Sequence, residues 1–188
     1  MQRYRSGERD FRGVNLSGVQ LKKVTLSEID LSYGILDSVD LSEAVLTEAN
    51  LTGTSLNGAI MSRTTMELVN LTEANLNKAD LRGCNLREAL LYKTSLKQAQ
   101  LQEANLTQTI SNRAFIQEAD LTDAVLIEAN LKKANLSNAN LTRANLSRAN
   151  LTGTYLIGAN LFQASLSETI IEKAVMTGAI MPDGTICS

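Results

Sequence analysis

The sequence predicts an all-β solenoid, a parallel β-helix of square section with about nine coils of 20 residues stacked around a leucine axis. Three observations predict it. First, an apolar residue recurs every five positions from Phe11 to Ile186: of these 36 positions, 27 are Leu, and only Ser111 is polar. Second, the residue two places before each is small or β-branched, Ala in 20 of 36 cases, with Arg9 the outlier. Third, eight of the 11 glycines stand two places after the apolar residue: Gly13, Gly18, Gly53, Gly58, Gly83, Gly153, Gly158 and Gly178.

A period of five matches neither the helical 3.6 nor the strand 2. It does match three residues alternating in, out and in, followed by two that turn the chain. A type II turn needs positive φ at its second central residue, which is where these glycines fall. Where Glu, Lys or Arg holds that place, another turn type is open. One corner per unit gives a square section, and four units close a coil.

In chain order, residues 1–8 are charged and precede the first unit, so they are expected to form an N-terminal cap. Residues 9–188 are expected to form a single repeat domain, with the phase never slipping. Within it, 182–188, opened by the turn-like Pro182-Asp183-Gly184, are expected to close the other end. Ends need covering because exposed strand edges invite pairing. Ser111, within Thr109-Ile110-Ser111-Asn112-Arg113, reads as a bulge that turns Ile110 inward, since a buried hydroxyl needs a partner. The alternative for Ser111 is a functional irregularity.

The units Ala74-Asn75-Leu76 and Ala79-Asp80-Leu81, and the run from Ala129 to Leu151, resemble the pentapeptide-repeat family with its A(D/N)LXX pattern. The resemblance implies a right-handed quadrilateral β-helix; the repeat alone does not set the hand. Tyr4 to Phe11 and Ile180 to Ile186 resemble ends seen in bacterial members. The resemblance also implies an alternative function, because some members mimic DNA and bind gyrase. That role goes with a markedly acidic rod, whereas this chain has 18 Lys and Arg against 20 Asp and Glu, a net charge of −2.

Composition excludes several chemistries. The chain has no His, so no His-dependent triad, general base or zinc site can form. It contains neither a Gly-rich phosphate loop nor a G-x-S-x-G elbow. Cys84 is expected inward and inert, about 24 Å from Cys187 by strand spacing, too far for a disulfide. The reading is non-enzymatic, with no catalytic residues, cofactor or metal. No secretory signal or spanning segment is read, and a cytoplasmic location is expected.

Function is therefore sought on the outer columns, where residues 20 apart stack. One column runs Glu28, Glu48, Leu68, Glu88, Gln108, Glu128, Arg148, Glu168, and another Glu73, Lys93, Arg113, Lys133, Gly153, Lys173. Stacked like charges in the second column either are balanced by neighbours or mark an anionic partner site. Leu90, Tyr92 and Ile110 are placed outward on one face, with Phe115 around the corner beside Lys93 and Arg113. Such clusters mark contact surfaces. The candidate partner surface is Leu90, Tyr92, Lys93, Ile110, Arg113, Phe115 and Lys133, and a second patch is Tyr155, Ile157 and Val175. The expected function is a protein-interaction or scaffold role. The expected partner is another protein, with no direct nucleic-acid or membrane binding, and the chain is expected to be a monomer or a weak dimer through an end or apolar patch.

Overall fold

In the computed structural model, which describes residues 2–188, the chain winds into a four-faced solenoid. Parallel bridges join residues 20 apart without interruption, from Asp10 with Asp30 to Asn160 with Ile180. The bridged residue is the one before each axial apolar residue, and it faces outward. Axial residues such as Leu81, Leu121 and Leu161 are fully buried, and the alanines two places earlier close around them.

The unit Leu121 to Val125 shows why five residues suffice. The Leu121 N–H donates to the Asn140 carbonyl at 2.7 Å and that of Asp123 to Thr142 at 3.0 Å, both in the next coil. The Ala124 N–H closes the turn on the Leu121 carbonyl at 3.0 Å, and the Val125 N–H reaches back to Ala104 at 2.9 Å. Only the Thr122 N–H lacks a backbone acceptor, and Asp120 Oδ1 takes it at 3.0 Å. The same side-chain turn recurs at Asn50, Asn70, Asn85, Asn105, Asn135, Asn145, Asn150 and Asn160. Asn or Asp before the leucine thus supplies the acceptor the backbone lacks. Ser55 and Ser95 cannot reach, and there Asp37 and Asn77 of the preceding coil accept the Asn57 and Lys97 N–H instead.

Three sequence expectations are corrected. The second turn residue has positive φ whether or not it is glycine: Glu28, Lys78 and Glu103 lie at +59°, beside Gly58 at +60°. The corner is fixed by the lattice, and the side chains accept its left-handed backbone. At Ser111 there is no bulge. Ser111 is buried on the axis, Ile110 stays outward in register with Leu90 and Asn130, and the hydroxyl finds its partner in Thr109 Oγ1 at 3.2 Å. Buried threonines elsewhere donate to a leucine carbonyl one coil back, as Thr94 does to Leu71 at 2.7 Å; Thr109 instead donates to Leu106 at 3.0 Å and accepts from Ser111. The repeat also does not spiral on to Ser188. After Met181 the positive φ moves to Gly184, and Ile186 returns to pair antiparallel with Ile180.

At the other end, α1 (Gln2–Arg5) lies against the first coil, and the Tyr4 hydroxyl donates to the Ser27 carbonyl at 2.9 Å. Met1, part of the expected N-terminal cap, lies outside the described residues. No helix is long and apolar enough to cross a membrane among the described residues.

These features set three outcomes. Leu121→Ala leaves a cavity on the axis and lowers unfolding free energy by about 2–5 kcal/mol in urea melts. Glu103→Gly relieves a left-handed corner and raises stability by about 0.5–1 kcal/mol, after the entropy cost of glycine in the unfolded chain. Burial pushes the Cys84 thiol pKa well up, so Ellman titration of native protein reports Cys187 alone, and both thiols after denaturation.

Candidate functional site

The outward position before each leucine is where the fold tolerates change, since it carries no axial packing. Asn or Asp there closes the turn; an apolar residue forgoes that bond. Leu90, Ile110 and Phe115 make this exchange together, and the N–H groups of Tyr92, Asn112 and Gln117 that follow them have no hydrogen bond among the described residues. Leu90 and Ile110 are bridged in adjacent coils, 37% and 43% exposed, and Phe115, 42% exposed, stands on the next face. The corner between the two faces carries Asn112 and Arg113.

The structure brings the first predicted set together around that corner. Arg113 and Lys133 are exposed and stack above Lys93 in one column. Lys93 is held by Glu73 at 3.1 Å, which balances one member of the expected like-charge stack. Arg113 and Lys133 have no ion pair among the described residues. Tyr92 is half-buried at the corner, not flat on the face, with the Lys93 ammonium 5.2 Å from its ring centre. Lys97 sits 5.6 Å from the Phe115 ring and adds a cation the sequence reading did not include. Its signal was its place in the same coil as Tyr92 and Lys93.

The acidic column on the far side of the Leu90 and Ile110 face is partly neutralised. Glu128 accepts from Gln108 at 2.9 Å and pairs with Arg148 at 3.0 Å, while Glu88 pairs with Arg87 at 2.9 Å. The apolar face therefore has a basic edge on one side and a mixed edge on the other.

The second predicted set is also exposed. Tyr155 and Val175 are bridged on one face, and Ile157 follows at the corner. Tyr33, 69% exposed, and Ile35 were not singled out from sequence. The signal was a pairing down the column: the Tyr33 ring lies over Gly53, where a Cβ would come within 2.8 Å of it.

A broad groove of about 560 Å³ runs along another face, lined by Asp40, Asp80, Arg63 and Arg82 among others. Two of its carboxylates are already engaged. Asp80 pairs with Arg82 at 2.7 Å, and Asp40 accepts from the Ser42 hydroxyl and N–H; these bonds hold both carboxyls below the usual range.

Comparison with known proteins bears on this geometry. A family model described as pentapeptide repeats matches in eight copies over residues 26–63, 70–108, 113–143 and 144–181. The unmatched residues 109–112 include Ile110 and Ser111. No curated protein matches. Among solved structures, the chain is similar to HetL, involved in heterocyst differentiation regulation in the cyanobacterium Nostoc sp. strain PCC 7120, at 30% identity. That match covers 99% of this chain and 97% of HetL with a TM-score of 0.60. It is also similar to a pentapeptide repeat protein of the Arabidopsis thaliana thylakoid lumen, at 25% identity over 52% of this chain and 68% of that one, with a TM-score of 0.51. With the family model covering most of the described coils, the chain belongs to the pentapeptide-repeat family, whose members adopt a right-handed quadrilateral β-helix.

Proposed function

We propose that the protein is a non-enzymatic binding solenoid that presents the corner around Arg113 to another protein. The observation that carries this reading is the local exchange at Leu90, Ile110 and Phe115. Three outward side chains give up turn-closing polarity, stand exposed together, and adjoin two cations without ion partners. Exposed apolar residues clustered beside charge are the composition of protein-binding surfaces. The likeness to HetL, a protein involved in regulation, supports a role exerted through binding.

The same reading makes 1–8 and 182–188 end segments of one repeat domain, the rod a monomer or weak dimer, and its setting the cytoplasm. The DNA-mimic alternative calls for an acidic rod. Here Lys23, Lys93 and Arg148 meet Glu43, Glu73 and Glu128 across neighbouring coils, which blunts the acidic columns.

Affinity capture from a lysate of the source organism, with wild type against Tyr92→Ala/Arg113→Glu, checks the site. The double variant is expected to lose one or more specific partners while its circular dichroism and melting temperature are unchanged. An identical set of retained proteins removes the site.

A further inference from the structure

The corner's spacing and chemistry also bear on what docks there. Resting on the proposed binding role, we infer that the occupant is an amphipathic α-helix of the partner, laid along the rod with an acidic flank over Lys93, Arg113 and Lys133.

Charge sets the acidic flank. Arg113 and Lys133 lack ion partners among the described residues, and Lys132 adds another exposed cation beside them. The unbonded N–H groups of Tyr92 and Asn112 lie at the same corner and donate to carboxylates as the displaced Asn side chains would have accepted. Aliphatic Leu90 and Ile110 set the apolar stripe, as they form a strip parallel to Lys93 and Arg113, three residues earlier in each coil. A nucleic acid would set its phosphates and sugars against these aliphatic residues, which offer them neither charge nor hydrogen bond.

Spacing selects a helix over a strand. Coils stack about 4.8 Å apart, so Lys93 and Lys133 are separated by about 10 Å along the rod. A helix laid along it presents residues i, i+3 or i+4, and i+7 at about 0, 4.5–6 and 10.5 Å, close to one side chain per coil. A strand places same-side residues about 6.7 Å apart and overshoots by about 4 Å across the two coils. Helix-in-groove recognition reads its partner through the same i, i+4, i+7 anchors.

The test uses labelled synthetic peptides of about 20 residues and fluorescence anisotropy with the full chain. One peptide carries Leu and Glu at helical spacing, a second the same composition in strict alternation, and a third Lys in place of Glu. The helical acidic peptide is expected to bind about tenfold tighter than either control, and to weaken as salt rises. Arg113→Glu and Lys133→Glu are each expected to remove that preference, while Tyr155→Ala, on the second patch, keeps it. Equal binding of the three peptides, or a preference that survives Arg113→Glu, overturns the inference. So does Arg113-dependent binding of a DNA duplex in place of the peptides. If the capture experiment loses partners in the Arg113 variant while the peptides are not discriminated, the binding role stands and the helix reading fails.

Discussion

Everything in this molecule depends on closing a backbone corner every five residues without stranding a hydrogen-bonding group. The second corner residue must take a left-handed backbone, which costs an ordinary side chain about 1–2 kcal/mol. Glu, Lys, Arg and Gln accept it at most corners because the corner residue's own N–H is fixed to the next coil and the N–H after it closes the turn. The cooperative lattice supplies what local propensity withholds. The axis follows from the same geometry: a section this narrow admits one Leu per face, with Ala at the alternate inward place. That explains the low aromatic content better than any deficiency of core.

The Asn and Asp before each leucine follow from donor accounting. Four N–H groups per unit find backbone carbonyls, and the fifth is left over by the turn. Its best acceptor is a side-chain oxygen two residues back, which is why short Asn and Asp dominate a position that faces water. Position 120 shows the geometry; positions 57 and 97 show the lattice borrowing an oxygen from the coil below. This same rule gives the Arg113 corner its significance. Leu90, Ile110 and Phe115 are not merely exposed apolar residues; each stands where the fold has a reason to place Asn.

Period, coil length and axis were legible in the sequence because every unit repeats the same constraint, and 36 repetitions of one signal outweigh any local noise. The site was legible in outline for the complementary reason: departures from a strict pattern are visible. What escaped was what depends on neighbours in space. The Ser111 hydroxyl looked unsatisfiable until Thr109, two residues back on the same face and also buried, offered its oxygen. Lys93 read as one of three stacked cations until Glu73 proved to hold it. Tyr33 was hidden because its exposure depends on a glycine one coil on.

The ends obey the accounting as well. Within the stack, the bonds give each face two carbonyls and one N–H directed toward the N-terminal end, and the reverse toward the C-terminal end. The rod thus has an acceptor-rich end and a donor-rich end. The groups found there have the matching chemistry. At the acceptor-rich end the Tyr4 hydroxyl donates to the Ser27 carbonyl. At the donor-rich end the Cys187 carbonyl accepts the Gly178 N–H at 2.7 Å. A second copy stacked head to tail would offer the same complementarity on every face, so a bare solenoid of this kind is its own best partner. The returning strand at Ile186 occupies the level such a copy's first coil would need. A short antiparallel return thus blocks the lattice on the one face it covers, while the N–H groups of Leu166, Glu168, Ile171, Lys173 and Met176 find no acceptor among the described residues, and the five-residue rule holds everywhere before Met181.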